Sequence, residues 1–418
     1  MANRLKLKLY PRELLFSVFA FLLPFSLYAE NNLQISWIGY TDEALCLICI
    51  AYILYFSFKR GIRGSDLALL IMLIVCSIIA FLGNVVSGIA RDLISTIVDF
   101  IALAKMFTVF IVYKQVASLD KKQVLVSYLI PLCKLLILSG SVCGFISLFV
   151  NIGMTKGARY GIPAFYFIFS NEARYGYIIA SCLLILMLTK MPKQKLIFYE
   201  ALTIFNMILT TKGVVYIVLI CYAVLRIMWR RKKNTKFTPL NAIFLAIAGT
   251  AASTYQIDTY LKDTESPRNI LIKYGFVTAN RYFPFGSGFA TYGSDQAARK
   301  YSSLYYQYGF YRRFGLSPER SMFLNDCYMG MVFGQFGYFG AIVFVLMLAM
   351  IFIPINRINN LGKDAKALAL SIFIGLVVSC IGTAIIKSSI GVFIFVILGI
   401  VSGYSIMLDR KSELLKDN

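Results

Sequence analysis

The chain has 418 residues, 59% of them hydrophobic, and carries 42 lysines and arginines against 20 acidic residues, a formal charge of +22. Soluble domains run at roughly 45–50% apolar, so an ordinary soluble globular domain is excluded. No basic polar domain stands apart from the apolar runs to hold nucleic acid. Histidine is absent, which removes the commonest metal ligand and general base together; no metal or cofactor site is expected.

The first thirty residues, MANRLKLKLYPRELLFSVFAFLLPFSLYAE, have the basic and apolar regions of a secretory signal. Cleavage requires small residues at −3 and −1, and Leu27 before Ala29 serves poorly, so this stretch reads as an uncleaved first helix. Apolar runs long enough to cross a hydrocarbon core of roughly 30 Å then recur to the end. Their limits are 13–30, 37–57, 66–88, 93–113, 124–151, 174–190, 196–211, 213–229, 239–257, 326–355, 366–386 and 389–408. Only the TTKG turn at 210–213 separates the seventh from the eighth, so the expectation is an all-α integral membrane protein of 11–12 transmembrane helices. Pro131 predicts a kink or tilt in the long 124–151 run. Eight of the nine cysteines lie inside these runs, where cysteine acts as a small hydrophobe. The Cys46-Leu-Ile-Cys49 spacing, with no other ligand nearby, is read as packing.

Lysine and arginine bias orients the set. With the N-terminus inside, every inner segment carries at least three, from Arg4, Lys6, Lys8 and Arg12 to Arg410, Lys411 and Lys416. The short outer loops hold at most one, apart from the 152–173 loop. Both termini are therefore expected inside, in the cytoplasm. Three parts follow: a bundle of about nine helices over 1–257, a large partly helical external loop over 258–325, and about three helices with a cytoplasmic tail over 326–418.

The 258–325 loop holds nine basic residues against five acidic ones and is rich in aromatics, unlike a disordered segment. Tyr301, Leu304, Tyr305 and Tyr308 recur at helical spacing between basic pairs, which predicts an interfacial helix at headgroup depth. Aromatic faces and phenol hydroxyls in this loop, Tyr292 among them, also suit sugar rings. Its RYFPFGSGFATYG stretch at 281–293 invites comparison with nucleotide-binding loops. A lone GxG is weak evidence, and outside the membrane the phosphates at hand belong to lipids.

Other outward bases sit in short loops: Arg159, Arg174, Lys212 and Lys387. Arginine's planar fork matches phosphate oxygens in pairs, so such a cluster suits a diphosphate joined to a lipid; the plain alternative is solvated rim charge. Within the spans, Asp99 and Lys105 share one run on different helix faces, with Asp99 about 10 Å below the outer surface. Asp99 faces either a cavity or a buried amine. Lys134, nearer the inner end of the next run, can reach the interface by its stem.

The order of parts and a series of motifs resemble the bacterial O-antigen polymerases (Wzy type) and the wider O-antigen ligase-like superfamily. The matching residues are RYG at 159–161, LTTKG at 209–213, FPFGSGFATYG at 283–293 and LNDCYMGMVFGQFGYFG at 324–340. The ligase branch expects a histidine in the large loop; its absence favours the polymerase. The resemblance implies glycosyl transfer on the outer leaflet, from a glycan on undecaprenyl diphosphate to the next lipid-linked repeat unit. It implies membrane lipids, a chain-length regulator and a flippase of the same pathway as partners. The alternatives are a ligase-like glycan transferase and a lipid-linked oligosaccharide transporter.

For that chemistry, Arg268 and Arg281 are expected to stabilise the departing diphosphate. Arg159, Arg174 and Lys212 are expected to bind diphosphate or sugar. Gly286 and Gly288 would let the backbone approach the substrate; an ordinary turn is the alternative. With no histidine a carboxylate must serve as base. Asp326 is the first candidate, helix capping being its alternative role, with Glu172 and Asp295 behind it. The glycines at 330, 334, 337 and 340 are explained by close helix packing.

Overall fold

The structure is a computed structural model, and it describes residues 10–90, 92–159, 161–231, 235–252 and 263–414. The end of the 239–257 run, the boundary at 257/258, Tyr160 of RYG, and Lys232 and Lys233 of the basic loop lie outside the described residues. The chain is all-α apart from one small hairpin. In order, the elements are α1 (Pro11–Asn32), α2 (Thr41–Arg60), α3 (Gly64–Ser87), α4 (Leu93–Leu119) and α5 (Val124–Ser147). The antiparallel hairpin β1 (Thr155–Arg159) and β2 (Ile162–Phe165) follows, then α6 (Glu172–Met187), α7 (Lys193–Leu209), α8 (Gly213–Trp229) and α9 (Pro239–Ala252). After the undescribed stretch come α10 (Pro267–Arg281), α11 (Asp295–Arg299), α12 (Ser303–Gln307), α13 (Tyr328–Asn356), α14 (Lys363–Ser379) and α15 (Ser389–Leu414).

A helix stands at each of the twelve expected positions, and among the described residues six stretches are long and apolar enough to cross a membrane. They are Trp37–Lys59, Gly64–Ser87, Leu93–Leu119, Val124–Ser147, Tyr328–Asn356 and Ser389–Leu414. The expectation of 11–12 crossings goes beyond these six: α6, α7 and α14 are shorter, with 16, 17 and 17 residues.

α4 and α15 run through the middle and are buried along most of their length. Their contact depends on Gly399 and Gly403, four residues apart on α15. A side chain at Gly403 would come within 2.4 Å of the Lys114 carbonyl oxygen, and one at Gly399 within 2.8 Å of that of Phe110. Small residues at this spacing let two backbones meet, the usual way helices gain packing energy in lipid.

Several charges within the bundle are matched by carboxylates. Lys105 of α4 meets Asp42 and Glu43 of α2, Lys114 meets Asp66 of α3, and Arg226 of α8 meets Glu200 of α7. Asp120 accepts from the first amides of α5 and from the Tyr404 hydroxyl (2.7 Å), tying the α4–α5 turn to α15. Each pair offsets the desolvation that an isolated charge would suffer.

The GSG stretch is where the helices and the large loop join. α13 breaks at Gly337, which has φ +62°. The loop fills the break: the Ser287 and Gly288 amides donate to the Gly334 and Gln335 carbonyls, both at 2.9 Å. Asn84 of α3 exchanges two hydrogen bonds with the Phe289 backbone, and the Ser87 hydroxyl donates to the Ser287 carbonyl. Asp99 accepts from the Ala290 amide (2.8 Å) and the Gln335 side chain (3.1 Å). Its partners are therefore an amide and a backbone N–H.

The loop also departs from the interfacial helix expected over Tyr301–Tyr308. Tyr301 takes φ +45° and Gly309 φ +69°, which breaks the segment into α11, α12 and a 3₁₀ turn at Phe310–Arg312. Leu304 and Tyr305 are fully buried and join Ile270, Leu271, Tyr292, Phe310, Leu316 and Leu324 in a second, smaller core. The periodic face is spent on this internal core rather than on lipid.

Gly286 has φ +74° and sits 2.4 Å, by any added Cβ, from the Gly337 amide nitrogen. Left-handed backbone costs a residue with a side chain roughly 1–2 kcal/mol, and overpacking adds about 1–3. Gly286→Ala is therefore expected to destabilise the fold by about 2–5 kcal/mol; an unchanged thermal midpoint of the purified variant would contradict this account.

Candidate functional site

At the end of the bundle where α6, α8, α10, α13 and α15 begin, a cavity of about 410 Å³ opens. Arg174, Lys212, Arg268 and Asp326 all line it. They come from four separate stretches of chain, brought together because each stands at a helix start on the same side. Asn171 caps α6 by accepting from the Ala173 and Arg174 amides (3.0 and 3.2 Å). That cap turns Glu172 into the protein and holds Arg174 in the first helical turn, the position where the helix dipole least favours a cation.

The Arg174 guanidinium makes no hydrogen bond or close ion pair among the described residues, although the Asp326 carboxylate acts on it through space. Its neighbours are more engaged. Arg268 pairs with Asp326 (3.3 Å), whose carboxylate is therefore not the helix cap; the Cys327 sulfur fills that role, accepting from the Gly330 amide. The buried Glu172 lies between Arg159 (3.5 Å) and Lys212 (3.8 Å), distances of ion pairing rather than hydrogen bonding. Arg159 thus borders the cluster through Glu172 and is itself well exposed. Burial lowers the Lys212 pKa, reinforced by Arg159, Arg268 and Lys156 and opposed by Glu172. Burial raises the Asp326 pKa despite Arg268 and Lys387 beside it.

Further round the wall, Lys387 lies 3.1 Å from Asp295 and is nearly buried at 8% exposure. Asp295 also accepts from Asn325. Burial alone would raise its pKa; Lys387 and Asn325 outweigh that and hold it below the ordinary aspartate value. The Lys105, Asp42 and Glu43 group completes the cavity floor. Cations and carboxylates therefore share the lining of one polar cavity.

The remaining expected residues do not reach this cavity. Arg281 is thirteen residues from Arg268, at the opposite end of α10 and so about 20 Å away. One diphosphate cannot meet both. Arg281 instead lines a second cavity of about 630 Å³ with Tyr282, Lys300, Tyr301 and Gln307, donating to the Gln307 side chain at 2.6 Å. Gly286 and Gly288 are buried and approach the α13 and α3 backbones rather than a substrate. The loop cannot cradle a phosphate, because the amides of residues 286–290 are all engaged within the protein. Tyr292 is fully buried, with its hydroxyl on the Leu271 carbonyl (2.7 Å).

Lys105, Asp42 and Glu43 carry weight in the cavity that sequence reasoning did not assign. The signal was present: two adjacent acids in TDEA open an apolar run, and intramembrane charges mark function or pairing. Among the described residues no three His, Cys, Asp or Glu side chains gather as a metal site would need.

No protein-family model matches the chain, and no curated protein matches it.

Lys105 and Arg174 separate structural from ligand-directed charge. Lys105→Met leaves the buried Asp42 and the half-buried Glu43 without their cation and is expected to cost about 3–5 kcal/mol. Arg174→Gln is expected to change stability by no more than about 0.5 kcal/mol. Thermal unfolding of both variants checks this, and equal losses would overturn it.

Proposed function

We propose that the chain is a membrane-embedded glycosyltransferase that polymerises oligosaccharide repeat units carried on undecaprenyl diphosphate. The reaction is set at the periplasmic face of a bacterial inner membrane, with both termini cytoplasmic and all twelve apolar runs within the bilayer. One observation carries the reading. Three cations from separate helix starts, Arg174, Lys212 and Arg268, converge on one cavity beside a carboxylate whose proton affinity is raised.

In the transfer, the bond between the donor's anomeric carbon and the diphosphate oxygen breaks, and its electron pair leaves with the diphosphate. The acceptor sugar's hydroxyl oxygen forms the new bond to that carbon. Its proton passes to Asp326. Arg174, Lys212 and Arg268 meet the charge that gathers on the leaving group; preorganised donors of this kind are worth about 100- to 1,000-fold each. Its raised pKa makes the Asp326 carboxylate a stronger proton acceptor than an ordinary aspartate. The second cavity, with Arg281, Tyr282 and Tyr301, is assigned to the glycan rather than to the diphosphate, since aromatic faces and hydrogen-bonding side chains fit sugar rings.

Purified protein supplied only with lipid-linked repeat units should lengthen the glycan. Transfer only to a different lipid acceptor would indicate a ligase, and movement across a vesicle without new bonds a transporter. Arg268→Ala is expected to lower chain growth at least about 100-fold while keeping the wild-type melting profile; wild-type product lengths would contradict the assignment. A base acts deprotonated, so the rate should rise with pH through a midpoint above the ordinary aspartate value of 3.8. That limb should vanish in Asp326→Asn.

Sidedness is tested separately. The native cysteines are buried or half-buried, whereas Phe314 in the large loop is 71% exposed. A thiol introduced by Phe314→Cys should react with an impermeant reagent added from the periplasmic side. Labelling solely from the cytosol would overturn the topology.

A further inference from the structure

The far end of α6 holds a different kind of site. A cavity of about 750 Å³ lies between α5, the α6–α7 connection and the start of α7, lined by Lys134, Lys190 and Lys195 together with Tyr199, Phe198 and Pro192. No acidic residue lines it. Lys134 stands ten residues into α5, about 15 Å along its axis, within a stretch apolar enough to span a membrane. Lys105, Lys114 and Arg226 in the bundle each have a carboxylate partner. The side chains of Lys134, Lys190 and Lys195 make no hydrogen bond or ion pair among the described residues. A half-buried intramembrane cation needs a counter-charge, and the described residues supply none.

The geometry explains how such a charge could come from lipid. α6 has only 16 residues, about 24 Å, so the turn after it stops short and lies level with Lys134 rather than with the start of α5. Lys193 and Lys195 sit in the first turn of α7, where the helix dipole is itself positive. The cavity is flanked by exposed apolar side chains, Leu135, Ile197 and Phe198, which suit acyl chains.

We infer that this notch binds the headgroup of an acidic phospholipid, with Lys134 on the phosphate and Lys190 and Lys195 at its rim, in the leaflet opposite the 410 Å³ cavity. The inference does not rest on the proposed transfer reaction.

The test uses the full chain in neutral detergent, with thermal unfolding and native mass spectrometry as readouts. Phosphatidylglycerol should raise the melting temperature and stay bound. Phosphatidylcholine with the same acyl chains should bind at least about tenfold more weakly, and inorganic phosphate at equal concentration should not stabilise. Each interfacial lysine contributes about 1 kcal/mol toward an anionic surface. Lys134→Gln, and separately the double variant Lys190→Gln/Lys195→Gln, should each weaken phosphatidylglycerol binding about tenfold, while Lys411→Gln should not. Equal binding of the two lipids, stabilisation by phosphate alone, or unchanged binding in the variants would overturn the site. If Lys134→Gln does not fold, the double variant decides, because both of its positions are exposed.

Discussion

The architecture depends on a broken helix being repaired by a loop. Where α13 departs from helical geometry at Gly337, it exposes carbonyls that lipid could never satisfy. The amides of Ser287 and Gly288 satisfy two of them, and Asn84 and Asp99 hold the following residues in place. The exchange is reciprocal. The helix gains partners for its backbone, and an irregular loop gains a fixed seat among α3, α4 and α13.

That seat positions much else. α10 precedes the loop and packs along α13, so its first turn brings Arg268 to Asp326 while its last residue, Arg281, is carried to a separate cavity. α11 follows the loop and presents Asp295 to Lys387 and Asn325. The small aromatic core around Tyr292 and Tyr305 then closes over the loop from outside. Glycines at 286 and 288 serve this assembly, since backbones meet there at distances no side chain would permit.

The two ends of α6 illustrate how charge is managed across the bundle. At one end, Glu172 and Asp326 temper a group of cations around an open polar cavity, with the Arg174 guanidinium making no close ion pair among the described residues. At the other, three lysines surround a notch with no carboxylate. Between them, Lys105, Lys114 and Arg226 are paired with carboxylates, while the fully buried Lys366 rests on the Trp229 ring and the Asn359 side chain.

Periodicity, composition and charge in the sequence were enough to establish an all-helical, membrane-type chain, the positions of its main helices, and a large ordered loop before the last three. They also marked Arg174 and Lys212 as outward bases in short loops, while Arg268 and Asp326 were marked by the chemistry that the family resemblance implies. Which of these meet was decided only by tertiary packing, since helix starts distant in sequence share one end of the bundle. The same packing separated Arg268 from Arg281 along a rigid helix and consumed the GSG amides in a helix break. It also turned the periodic tyrosines inward, because two residues with positive φ interrupt the helix their spacing implied. Local pattern specifies which elements form; the mutual satisfaction of buried backbone and charge specifies where their side chains end.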